Sequence, residues 1–124
     1  MEELNKLSEK ILKCAFTVHN ALGPGLLESA YEECLFYELK CAGLTVEKQK
    51  ALPLIYKEIH LETGYRIDLI VNKQIVLEIK SVEAIADIHV AQALTYLKLS
   101  KCKLGLLLNF NVPSLKLGIK RLIL

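Results

Sequence analysis

Asp68 and Glu78, with Lys80 two residues beyond the second acid, are the side chains whose types and spacing most directly suit chemistry. Two carboxylates offer hard oxygen ligands to a cation such as Mg²⁺, with Mn²⁺ as a substitute. A neighbouring lysine can position or activate water and stabilise charge on a phosphate. That is the equipment of a phosphodiester-cleaving site. Both acids lie in runs, Ile67-Asp68-Leu69-Ile70-Val71 and Val76-Leu77-Glu78-Ile79, that are apolar on both faces of a strand, as in a covered central strand. Charges in such a place are costly unless paired or metal-bound. Exposed cross-strand ion pairs, worth only about 0–1 kcal/mol each, are the plainer alternative.

The acids must also be able to meet. Side chains two apart on a strand share a face, so Glu78 and Lys80 project together with Val76, while Arg66, Asp68 and Ile70 share a face of the preceding strand. Pairing Val71 with Gln74 around a two-residue turn would set Asp68 opposite Leu77 and separate the carboxylates. Pairing Val71 with Ile75 around Asn72-Lys73-Gln74, or inserting a bulge, sets Asp68 opposite Glu78. The chemistry therefore predicts the odd loop or a bulge. Ile70 then lies beside Val76 near the turn, and the polar residues occupy the far end of the same face.

The elements that would carry these strands follow from periodicity. A length of 124 residues, 52% of them hydrophobic, fits one domain over 1–124 with a single core. Leu4, Leu7, Ile11, Cys14, Ala15, Val18 and Leu22 make one buried stripe of a helix over 4–22, ended by Gly23-Pro24-Gly25. A second helix is expected over 26–42, with Gly43 as its stop. Strands are expected over 45–56, interrupted by Pro53, then 63–71 and 74–82, as an antiparallel meander. Asp87 is placed to cap a third helix over 88–100, followed by strands over 104–110 and 115–123. The order ααβββαββ describes an α+β, or mixed α/β, domain with a central mixed sheet flanked by helices.

Four cysteines, at 14, 34, 41 and 102, show neither zinc spacing nor a disulfide framework and read as reduced thiols. No apolar run approaches the roughly 20 residues that span a bilayer, and no signal-peptide layout is seen, so a cytoplasmic protein with no membrane partner is expected. Net charge is only +2, yet residues 1–47 hold eight acids against four bases and nothing after Asp87 is acidic. Lys98, Lys101, Lys103, Lys116, Lys120 and Arg121 in that last stretch suit a polyanion or simply solvate the surface. The alternation Leu115, Leu117, Ile119 suggests a half-buried edge strand through which a homodimer or another protein partner could pair.

With Asp68 and Glu78-Ile79-Lys80 placed, the sequence resembles the PD-(D/E)xK nuclease superfamily, whose restriction-endonuclease-like core runs αβββαβ. Gly25-Leu26-Leu27-Glu28-Ser29-Ala30-Tyr31 matches the Gly-x-x-Glu-x-x-Tyr signature of its GxxExxY branch. The likeness continues through Gly64-Tyr65-Arg66-Ile67-Asp68, Ala91-Gln92-Ala93-Leu94-Thr95-Tyr96-Leu97 and Gly105-Leu106-Leu107-Leu108-Asn109-Phe110. The proline that often precedes the first acid is replaced by Ile67.

This resemblance implies a Mg²⁺-dependent nuclease, with DNA favoured over RNA. Asp68 and Glu78 would be metal ligands, Lys80 the water-positioning residue, and Glu28 a helix-borne acid aimed at the same ion. The Ile79 carbonyl is a further candidate ligand. Gln92 and Tyr96, four apart on one helix face, resemble a Gln-x-x-x-Tyr pair that borders the active site in RecB-type nucleases. Plainer roles are open for several of these. An acid in the first turn, such as Glu28, is favourable against the helix dipole without any metal. Tyr31 reads as a packing residue, Tyr96 and Gln92 can be a core-edge tyrosine and its neighbour, and His19 and His89 fit neutral hydrogen-bonded roles. A catalytically silent nucleic-acid- or protein-binding module that keeps the nuclease fold is the rival to the enzyme.

Overall fold

The structure, a computed structural model, describes residues 1–62 and 64–124. Helix α1 (Glu2–Leu22) buries Leu7, Ile11, Cys14, Ala15 and Val18, and stops at Gly23, whose φ of 67° is open to glycine at little cost. Helix α2 (Glu28–Cys41) buries Tyr31, Leu35 and Leu39, and the chain leaves it through Gly43 at φ 83°.

Strand β1 (Val46–Ala51) is followed by a short hairpin of β2 (Leu54–Tyr56) and β3 (Ile59–Leu61), then by β4 (Arg66–Val71) and β5 (Ile75–Lys80). Helix α3 (Asp87–Ser100) crosses back to β6 (Leu104–Asn109), and a 3₁₀ turn at Leu115–Gly118 leads into β7 (Ile119–Ile123). Five strands form one sheet in the order β1-β4-β5-β6-β7, while β2 and β3 pair only with each other. β5 and β6 run parallel and the remaining neighbours antiparallel, as a helical crossover between β5 and β6 requires. The result is a mixed sheet flanked by helices on both faces.

Each face has its own apolar cluster. Leu69, Val71, Ile75, Leu77 and Ile79 meet α1 and α2, whereas Ile67, Ile70, Val76 and Leu107 meet Ala93, Tyr96 and Leu97 of α3. Every residue of β6 is buried, which explains its unbroken apolar sequence.

Three local expectations are corrected. The stretch 45–56 splits at Leu52-Pro53, and its second half joins the β2–β3 hairpin rather than the sheet. The segment 115–118 is helical, with Leu115 in the core and Leu117 68% exposed, so the final strand begins only at Ile119. There a Cβ on Gly118 would collide with the Asn109 carbonyl, and this close approach sets the turn. Third, α3 starts at Asp87 itself. Its N-cap is Ala86, whose amide donates to His89 Nδ1 at 2.9 Å. The expected strand over 63–71 starts at Thr63, which lies outside the described residues; β4 begins at Arg66.

Candidate active site

β4 and β5 meet through the three-residue loop: Val71 pairs with Ile75, Ile70 with Val76 and Leu69 with Leu77. Asn72 and Lys73 make the reversal at φ 52° and 56°. Asp68 and Glu78 come next in this register, and there the backbone ladder stops. The Asp68 amide donates to Glu78 Oε2 at 2.9 Å, and the Ile79 amide donates to Asp68 Oδ2 at 2.8 Å. Each acid thus takes over the amide that its partner strand's carbonyl would otherwise have accepted. Two carboxylates stand where the next ladder bonds would be.

β4 also loses its alternation here. Leu69 and Val71 face α1 and α2, but Ile67 and Ile70, three apart, both face α3. Strict alternation would have put Ile67 with Leu69. β1 is interrupted alongside: Lys48 pairs with Leu69 and Lys50 with Ile67, while Gln49 between them sits at φ 53° with no partner in the ladder. A left-handed non-glycine residue inside a strand carries strain, and such strain concentrates at functional sites.

The turn of Gln49 sends its side chain across the opening. Its Nε2 donates to Glu32 Oε1 of α2 at 2.9 Å and to Asp68 Oδ1 at 3.4 Å. The Arg66 guanidinium donates to the Gln49 carbonyl at 3.3 Å. Gln49, Glu32 and Arg66 are therefore additions to the residues expected here. Glu32 was detectable as the i+4 neighbour of Glu28 on one helix face. A glutamine gives no sequence signal for positive φ.

Electrostatics follow from this geometry. Glu78 is only 5% exposed, and burial, with Asp68 beside it, pushes its carboxyl up to about 8. Burial raises Asp68 as well, against the opposing pull of the Ile79 amide and the Lys80 charge. Glu32 is raised by burial and then by Asp68, with the bond from Gln49 opposing. Lys80 is half-buried at the end of β5 and, among the described residues, makes no ion pair. Its carbonyl accepts from the Phe110 amide at 2.9 Å, fixing the strand end. Asn109, buried on the parallel neighbour β6, holds Val82 by bonds of 3.1 and 3.0 Å and so anchors the segment leaving the site.

The flanking residues divide into two groups. Gln92 Nε2 donates to the Tyr96 hydroxyl at 3.1 Å, and burial followed by the charges of Glu78 and Asp68 raises the Tyr96 phenol. This pair borders the carboxylates from the α3 side. Glu28 comes near from α2, but its Oε2 accepts from the Ser81 amide at 3.3 Å. It does not complete a cluster with Asp68 and Glu78: among the described residues no group of three or more His, Cys, Asp or Glu side chains is arranged to hold a metal ion. Tyr31 is a packing residue, stacked on Phe110 at 4.6 Å between ring centroids and bonded to the Gly23 carbonyl. His19 lies 2.9 Å from the Val112 carbonyl, and His89 Nδ1 accepts from the Ala86 amide at the start of α3.

A family model described as the PD-(D/E)XK nuclease superfamily matches residues 5–122. The chain belongs to this superfamily. No curated protein and no solved structure gave a significant match. As a member of the superfamily it shares a fold associated with nucleic acid, and among the described residues no helix is long and apolar enough to cross a membrane. The matched range includes Asp68 and Glu78-Ile79-Lys80, which lie where the β4–β5 backbone ladder stops.

Proposed function

We propose that this chain is a divalent-metal-dependent nuclease of the GxxExxY branch that hydrolyses phosphodiester bonds, with DNA favoured over RNA. The observation that carries this reading is the exchange of amides between Asp68 and Glu78 at the opened end of β4 and β5. Burying two carboxylates side by side raises both against ionisation, a cost that serves no packing purpose. A cation would remove it.

The donor set fits Mg²⁺ or Mn²⁺, since both acids are hard oxygen ligands and each commits one oxygen to a backbone amide, which leaves Glu78 Oε1 and Asp68 Oδ1, the latter accepting only a long 3.4 Å bond from Gln49. Those two acids would hold the ion, with the Ile79 carbonyl as a further oxygen and Glu28 acting through water. When bound, the ion supplies Lewis-acid stabilisation of charge on the phosphate.

The chain's own residues do the rest. Lys80 Nζ donates to the attacking water and orients it. Tyr96 accepts from Gln92, so its own hydroxyl hydrogen is free to donate to a phosphate oxygen, and its raised pKa keeps that hydrogen in place. Arg66, two residues before Asp68 and exposed, adds positive charge where the strand backbone arrives. The direct test is cleavage of a DNA and RNA panel by the purified chain with Mg²⁺ or Mn²⁺. Equal activity in Asp68→Ala or Lys80→Ala would rule this reading out.

A second reading, a silent binding module, draws on the missing three-ligand cluster. Titration calorimetry separates the two: no heat at millimolar Mg²⁺ supports the module.

A further inference from the structure

Beside the carboxylates, the β2–β3 hairpin and α3 enclose a cavity of about 240 Å³ lined by Leu54, Tyr65, Gln92, Thr95, Tyr96 and Leu99. We propose that this cavity takes the base of an unpaired nucleotide adjoining the scissile phosphate, so that the substrate is single-stranded at that point. This rests on the nuclease reading above and deepens it.

The lining has the features that recognise a base. Two tyrosine rings come from separate elements, Tyr65 from the segment entering β4 and Tyr96 from α3, and Leu54 and Leu99 supply aliphatic surface between them. Bases taken out of a duplex are held by stacking on such rings and by hydrogen bonds to their edges. Tyr65 is 44% exposed and makes no bond through its hydroxyl among the described residues, so its ring remains open to a ligand.

The polar capacity is small and unspent. Gln92 uses one amide hydrogen on Tyr96, which leaves its carbonyl oxygen and second hydrogen for a base edge. Thr95 donates to the Ala91 carbonyl and keeps its lone pairs. No charged side chain lines the cavity, so it suits a neutral heterocycle rather than a phosphate.

Position decides the occupant. Tyr65 lies three residues before Asp68 on the same run of chain, and Tyr96 feels the charges of Glu78 and Asp68. A phosphate held at the carboxylate end of β4 and β5 would therefore have its neighbouring base near the cavity mouth. In a duplex that base is stacked and paired and shows only its edges. Only an unpaired strand offers its faces.

The test uses a short DNA oligonucleotide carrying a single 2-aminopurine, with the full chain in EDTA and again in Ca²⁺. Stacking in the cavity quenches the fluorescence of the single strand, and the matching duplex binds more weakly. Tyr65→Ala weakens binding by about 5- to 160-fold, the range of one lost stacking partner, and Tyr65→Phe restores it. Thr95→Trp, on an exposed helix face, fills the cavity and abolishes quenching while circular dichroism shows the fold intact. Absence of quenching with the unmodified chain, or wild-type binding by both Tyr65→Ala and Thr95→Trp, overturns the proposal. Quenching without cleavage in Mg²⁺ would instead refute the nuclease reading and leave the base site standing.

Discussion

The two ends of the β4–β5 hairpin are built from the same two strands and behave as opposites. At the turn end, Leu69, Ile70 and Val71 face Leu77, Val76 and Ile75 across a regular ladder, apolar on both faces. At the next position, Asp68 and Glu78 replace backbone partners with carboxylates, Ile67 leaves the alternation, and Gln49 of β1 turns to positive φ. The closed end lowers the free energy of the fold, and the open end raises it. A rigid, well-packed hairpin holds strain at one extremity because the other extremity has apolar contacts to spare.

Breaking the open end chemically has the largest expected effect. Asp68→Ala lowers metal-dependent cleavage by about 1,000-fold and Lys80→Ala by about 100-fold or more, measured as initial rates on single-stranded DNA. At the closed end the loss is structural: Leu77→Ala, at a fully buried position, destabilises by about 2–5 kcal/mol in urea unfolding and leaves the residual folded fraction active.

Glu78→Gln sharpens the contrast by removing a charge while keeping an acceptor for the Asp68 amide. The folded Glu78 carboxyl titrates at about 8, above its ordinary unfolded value, so the folded state keeps a proton that the unfolded state has released. Metal-free stability contributed by this group is full below pH ~4 and is lost as pH rises toward about 8. Glu78→Gln flattens that slope and stabilises the metal-free chain by about 1–3 kcal/mol at pH 8, read by thermal unfolding across pH. The smallest effect belongs to the turn. Lys73→Gly relieves a left-handed lysine and raises stability by about 0.5 kcal/mol, with no change in cleavage.

The same contrast shows what a sequence discloses. The register of the hairpin was legible because an odd loop or a bulge was needed to set Asp68 opposite Glu78, and the structure uses the odd loop, with Ile70 beside Val76. The helices were legible through their stripes and glycine stops. The 3₁₀ turn was not: Leu115, Leu117 and Ile119 alternate as a strand does, and only the contact of Gly118 with Asn109, from another element, bends them. The β2–β3 hairpin was hidden for a similar reason, since nothing around Pro53 says which sheet the following residues join. In the site, charge types and spacings named Asp68, Glu78 and Lys80. The amide exchange and the strained Gln49 arise from three strands acting together, which no single run of sequence records.

That exchange has a consequence for descent. Asp68 and Glu78 serve as rungs of the sheet as well as bearers of charge, and losing either side chain would strand a buried amide. A descendant that abandoned chemistry would still be selected to keep an oxygen acceptor at both positions, for which Asn and Gln serve as well as the acids. Lys80, with no ion pair among the described residues, is under no such structural obligation. Among diverged copies of this chain, position 80 is the one whose identity reports whether selection still acts on catalysis.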